Sequence, residues 1–393
     1  MSDNRPFKVL IVGGGSAALE AAFRLQHVAR TRVETTILAP DDHFMTLAMA
    51  VLVPFAAGHV PHEPLAALAS DAGARLYRGR MASVDAAAHK VVTDGGEAIP
   101  YDAVLIAVGA IQRAPYRTAL AFGTPGSEER MHGLVQDLEG GYVRRIAFVV
   151  PTGASWPVPL YELALMAAKR AYDTGQICAL TLLTPEDAPL ALFGPAASRA
   201  VAARLVDAGI AVHTSVHVDA PERGLVELHP GGARLSVDRV VTLRVLAGPA
   251  VKGLPHDAQG FLPVDRHCRV AGVRDVYAAG DATHFPIKQG GLACQQADAA
   301  AEAIAAQAGV AIDPEPYAAI LQGVLLTEPG ATFMCRDAGG AAGDNSVVSE
   351  GAVWWPPTKI AGRELARHIR DLGQNAVPAA SGGVEIRRLV AGA

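Results

Sequence analysis

Short apolar runs separated by polar turns dominate the first three-quarters of the chain. Lys8 to Val12, apolar from Val9 on, reads as a strand of the kind buried in a parallel sheet. Ala17 to Ala29 follows with helical spacing, and Thr35 to Ala39 is a second buried strand, so the chain opens β-α-β. Asp94-Gly95-Gly96 predicts a hairpin turn between "HKVV" and "AIPYD", and "AVLIAVGA" predicts another strand, ending at Gly109. A loop-like stretch follows, "YRTALAFGTPGSEERMHG". From Arg145 the pattern restarts, with strand "IAFVV", helix Leu160 to Tyr172, strand "ALTLLTP" and helix Ala196 to Ala208. The hairpin-like "GLVELHPGGARLSVDRVVTLR" comes next, then strand "DVYAAGD" and a long Ala-rich helix.

This alternation predicts an α/β fold with two Rossmann-like dinucleotide-binding units, the second inserted into the first, plus a small C-terminal region. The expected limits are residues 1–115 with 250–312, residues 116–249, and residues 313–393. The last part is less regular and ends in an Ala/Gly-rich tail.

Composition narrows the function. Half of the 393 residues are apolar and 19% are charged, which suits sizeable cores and argues against disorder. A net charge of −5 gives no footprint for nucleic acid. The four cysteines, Cys178, Cys268, Cys294 and Cys335, lack the close pairs of a zinc or C-x-x-C site, and their scarcity suits a reducing compartment. No His/Asp/Glu cluster has metal-ligand spacing, so no metal is expected. The N-terminus lacks the features of a signal peptide, and no apolar run is long enough to span a bilayer. The expected location is cytoplasmic, with contact at the inner face of a membrane left open.

The first strand–helix turn reads Gly13-x-Gly15-x-x-Ala18. Gly13 permits the tight turn, Gly15 lets backbone approach a pyrophosphate, and Ala18 lets helix and strand pack closely. Ser16 and Ala17 then offer amides at a helix N-terminus, where negative charge is favoured. The acidic residue usual at the end of the second strand is missing. Ala39 stands there, followed by Pro40, Asp41 and Asp42. The corresponding positions of the second unit read Pro151, Gly153 and Trp156. Proline has no N–H for a phosphate, and tryptophan crowds the helix–strand contact. Two readings stay open: an unused loop on a retained scaffold, or a Trp156 that walls a substrate pocket.

"VYAAGDAT" places Gly280-Asp281 after an apolar strand, and "FPIKQGGLA" then opens a helix with Lys288 just before it. With "VLIVGGGSAALEA" and "LIAVGA", these segments resemble the FAD-dependent pyridine nucleotide-disulfide oxidoreductase superfamily. The nearest look is to sulfide:quinone oxidoreductases, flavocytochrome c sulfide dehydrogenases and type II NADH dehydrogenases. The resemblance implies FAD held by the Gly13–Ala18 loop, by Ala39, Pro40, Asp41 and Ala82, and by Val108 and Gly109. It also implies that Gly280 and Asp281 meet the ribityl or pyrophosphate part, and that Gly290, Gly291 and Leu292 lie beside the ring. Lys288 and the adjoining helix start would stabilise negative charge on that ring.

"GASWPVPLYE" resembles the sulfide:quinone segment "GASCFGPAYE", and "FMCRDAGG" resembles that group's C-terminal cysteine loop, with Cys335 at the redox position. Trp156 stands where those enzymes carry a cysteine. A two-thiol relay needs Cα atoms within about 7 Å and two sulfurs, so the resemblance argues against sulfide oxidation by that route. The candidate catalytic residues are Lys288, Cys335 and Trp156. The expected function is two-electron transfer from a small donor through FAD to a quinone or other acceptor. Alternatives are an NAD(P)H:acceptor reductase with a degenerate nucleotide loop and a non-catalytic flavin-binding sensor. A homodimer is left open. His284 is a loop histidine next to the Gly-Asp segment. "VWWPPTKIAGRELARHI" reads either as a membrane-interfacial helix or as a segment packed over the flavin unit.

Overall fold

The computed structural model describes residues 5–327, 330–338 and 346–371. The Ala/Gly-rich tail and the two glycines of "FMCRDAGG" lie outside the described residues. In chain order, β1 (Phe7–Val12), α1 (Ser16–Ala29), β2 (Val33–Ala39), β3 (Arg75–Arg78) and β4 (Ala103–Ile106) come first. Then follow β5 (Leu120–Phe122), β6 (Arg145–Val149), α2 (Val158–Asp173), β7 (Ala179–Leu183), β8 (Ala211–His213) and β9 (Arg239–Leu243). The chain then returns through β10 (Val276–Ala278) and α3 (Gly290–Gln307).

Two five-stranded sheets result, ordered β10-β4-β1-β2-β3 and β5-β9-β6-β7-β8, with every neighbouring pair parallel. Both are covered on each face, so Val9–Val12 and Ala103–Ile106 are apolar and buried without alternation. The strand order reverses beside β1 in one sheet and beside β6 in the other. Such reversals open ligand crevices at the strands' carboxyl ends. The two connections between the sheets, Ile111–Arg113 and Val245–Ala247, pair antiparallel as a short ribbon. Hairpins sit at the predicted turns, pairing Lys90–Thr93 with Ala98–Pro100 and Leu225–His229 with Ala233–Ser236.

The C-terminal region forms an antiparallel sheet of β11 (Ile320–Leu326), β12 (Ala331–Asp337) and β13 (Val347–Ser349), followed by α4 (Leu365–Asp371). The expected cysteine loop is therefore the central strand of a sheet. Residues Ala331 to Cys335 are buried in succession, and Phe333 packs edge-on against Trp354 at 5.1 Å. An apolar run covered on both sides gains more as a paired strand than as a loop with unsatisfied backbone. Trp354 thus packs within the fold. Trp355 is 60% exposed, with the Arg370 guanidinium 5.7 Å from its ring centre.

α1 and α3 pack together through alanines, whose small side chains allow close approach. Each first helix also carries one fully buried glutamate at its fifth residue: Glu20 in α1 and Glu162 in α2. Glu20 accepts the amides of Glu364 (2.7 Å) and Leu365 (2.8 Å). Glu162 accepts the Leu326 amide (2.8 Å) and the Lys359 ammonium (2.6 and 2.8 Å). The C-terminal region is thereby fixed to both units.

Candidate functional site

A cavity of about 910 Å³ opens at the carboxyl ends of β1, β4 and β10. Gly13 sits at φ +131°, where a Cβ would stand 2.2 Å from the Ala107 carbonyl oxygen. The β1 and β4 exits cross here, and only glycine fits. Gly15, at the N-cap of α1, would direct a Cβ into open space, and no side chain caps the helix. Its first amides and the positive end of its dipole are left for an anion. These features fit the pyrophosphate of a dinucleotide.

Gly13, Gly15, Ser16, Ala17, Pro40, Asp41, Ala82, Val108, Gly109, Gly280, Asp281, Lys288 and Gly290 line the cavity, as does Trp156. Ala18 and Ala39 are fully buried, outside the lining. Gly291 and Leu292, in the first turn of α3, are also outside it. The buried Cys335 lies outside it on β12, its thiol pushed up to about 11 by burial and by Asp337. His284 is exposed and its Nδ1 accepts the Val264 amide at 3.2 Å. Arg78 of β3 donates to the Pro40 and Asp41 carbonyls, which holds the turn that presents Asp41.

The charged groups oppose one another across the floor. Gly280 (φ +76°) lies 3.3 Å, at its Cβ position, from the Cβ atoms of Ala17 and Ala293, and its amide donates to Gln296. Burial pushes the Asp281 carboxyl above its ordinary range, with Lys288 and Arg244 pulling the other way. Burial likewise pushes Lys288 down to about 8, opposed by Asp281 and Asp257. Its ammonium donates to the Thr283 carbonyl and lies 4.0 Å from the Phe261 ring centre.

Several lining residues escape sequence reasoning because they arrive from elsewhere in the chain. Lys359 comes from the C-terminal region and Arg244 from the end of β9. Arg244 donates to the Gly123 carbonyl at 2.9 Å. A charged residue directly after the apolar strand "VVTL" was the one available signal for Arg244.

The loop between β6 and α2 differs from the first. Its N-cap is Pro157, Pro159 follows, and the Leu160 amide turns back to Pro157. Only Val158 keeps a free N–H in that first turn, too few for a pyrophosphate. Trp156 packs edge-on against Phe193 at 5.6 Å and borders the cavity of the other unit.

The sequence profile of the pyridine nucleotide-disulphide oxidoreductase family matches residues 7–303. The chain belongs to that family. It is an FAD-dependent oxidoreductase, and the Gly13–Ala17 cradle is where the chain would hold the cofactor's phosphates. The oxidoreductase is 26% identical over 291 residues to an NADH dehydrogenase-like protein of Mycobacterium tuberculosis, covering 70% of this chain and 72% of the relative. Its fold is similar to the sulfide:quinone oxidoreductase of the hyperthermophilic bacterium Aquifex aeolicus. The TM-score is 0.78 at 19% identity, over 87% of this chain and 86% of that one. NDH2 from Plasmodium falciparum, in complex with NADH, gives 0.57 at 15% identity, over 71% and 65%. No helix among the described residues of this oxidoreductase is long and apolar enough to cross a membrane.

Proposed function

We propose that this oxidoreductase passes two electrons from a small donor to a quinone or another small acceptor, by a route that uses no cysteine pair. FAD, when bound, supplies the two-electron chemistry. Residues 1–115 and 250–312 would hold it, residues 116–249 would wall the reaction space, and the C-terminal region, residues 313–393, would close it. Asp281 would accept a hydroxyl of the cofactor. Lys288 and the start of α3 present positive potential to the cavity and favour negative charge there.

The observation that carries the reading is the wall at Trp156. An indole borders the cavity, and Cys335 lies outside its lining. Two thiols cannot pass sulfur in that arrangement.

The test is anaerobic bleaching of the purified yellow protein by a panel of donors, followed by reoxidation with quinones. Sulfide-driven bleaching would overturn the thiol argument. Rapid bleaching by NADH would favour the second reading, an NAD(P)H:acceptor reductase, which likeness to NADH dehydrogenase-like proteins supports and the prolines of α2 oppose. Asp281→Ala should purify with much less flavin, and full retention would count against its role.

A further inference from the structure

β6 and β9 are neighbours in the inserted sheet, with Val149 opposite Thr242. The loop leaving β6 carries Trp156, and the residue leaving β9 is Arg244. Ligands of open α/β sheets bind in such a strand-end crevice. Here the crevice lacks amides for a pyrophosphate, and its two side chains border the same cavity as the glycine loop.

Arg244 is held in place with capacity to spare. Its Nη1 donates to the Gly123 carbonyl at 2.9 Å. Gly123 has φ +87°, and a Cβ there would stand 2.1 Å from that nitrogen, so the guanidinium rests against bare backbone. A guanidinium has five N–H donors, and no ion pair engages Arg244 among the described residues. Asp281 and Glu128 act on it only at longer range. A partly desolvated cation without a carboxylate is costly, and that cost falls when an anion docks. A planar fork suits a carboxylate, and the Trp156 indole, braced by Phe193, offers a flat apolar surface on the wall of the same cavity.

We propose that the crevice of Trp156 and Arg244 is the subsite for a planar aromatic or quinoid ring bearing a carboxylate. This deepens the reading above by naming the class of small molecule that meets the flavin. The ring lies on Trp156 and the carboxylate on Arg244, while the glycine loop keeps the cofactor's phosphates. The inserted unit thereby binds a small anion at the strand-end crevice where such sheets commonly take their ligands.

Equilibrium dialysis of the flavin-loaded protein against 2-naphthoate and its uncharged analogue 2-naphthamide tests this without turnover. Naphthoate should bind roughly tenfold or more tightly than naphthamide. Arg244→Met should weaken naphthoate by about 30-fold and move naphthamide by less than about twofold. Trp156→Ala should weaken both ligands alike. Should Arg244→Met lose its flavin or fold, Arg244→Lys carries the test. It keeps the charge but loses the fork, and should weaken naphthoate alone. Equal affinity for the two ligands, binding of neither, or a charge preference that survives at Arg244→Met and Arg244→Lys overturns the subsite. Failure of every donor and acceptor in the flavin assay would instead overturn the electron-transfer reading, since dialysis does not depend on it.

Discussion

The loop from β1 to α1 and the loop from β6 to α2 hold equivalent places in two sheets of matching strand order. Gly13 to Gly15 carry the first directly from strand to helix, and leave the helix start open to the cavity. Residues 150–157 make the second longer, and its prolines remove the amides an anion would need. What survives in both is the sheet and a buried glutamate at the fifth helical position. The anion cradle can thus be lost while the scaffold persists, because strand packing and cofactor binding depend on different residues. The second unit reaches the cavity through the side chains of Trp156 and Arg244.

The largest expected contrast is between glycines. Gly13→Ala drives a methyl into the Ala107 carbonyl at a forbidden φ, so flavin content per protein should fall close to zero. Gly153→Ala has open space at φ +85° and should cost only about 1–3 kcal/mol in unfolding, with the yellow colour kept. Loss of flavin in both would mean the second loop also holds cofactor.

The buried glutamates give the next contrast. Lys359→Met leaves the Glu162 carboxylate buried beside a single amide, which should cost about 3–5 kcal/mol in denaturant unfolding. Glu162→Leu with Lys359→Met should recover more than half of that. Glu20 uses backbone amides and is insensitive to such a swap.

Lys288 offers a smaller effect set by pH. Its folded pKa of about 8 lies below the ordinary 10.5, so the unfolded chain binds more protons between those values. Its contribution to stability therefore rises with pH from about 8 to 10.5, and Lys288→Met should flatten that rise in the cofactor-free protein. In the loaded enzyme, loss of the Lys288 charge at alkaline pH should slow flavin reduction, and Lys288→Arg should extend the active range upward. An identical pH profile for Lys288→Met would remove Lys288 from the chemistry.

The smallest expected change is at Trp156→Cys. A thiol placed there still finds Cys335 outside the cavity lining and protonated by burial, so sulfide should bleach the flavin no faster than in the parent protein. A gain would show that the two sites communicate after all.

The two sheets and the tight glycine turn after β1 were legible because they rest on local signals: apolar runs, glycines at fixed spacing and turn residues. Ala39 seemed a defect at the ribose position. The structure shows a turn tied by Arg78 that puts Asp41 on the cavity. "FMCRDAGG" misled because its cysteine and glycines outweighed the apolar run that makes β12. Lys359 was invisible, and Arg244 showed only as a charge after an apolar strand, because their importance comes from partners far along the chain, Glu162 and Gly123. No periodicity encodes such a meeting.

The paired glutamates also set an order of assembly. During synthesis Glu20 and Glu162 enter their helices long before Leu326, Lys359, Glu364 and Leu365 are made. Until those groups arrive, both carboxylates need water, and the faces of α1 and α2 that bear them stay hydrated. Val324, Lys359 and Ile360, which complete the cavity wall, belong to the same late segment. The wall of the cavity is therefore complete only once the C-terminal region is made, and the two carboxylates tie that closure to the helices that bear them.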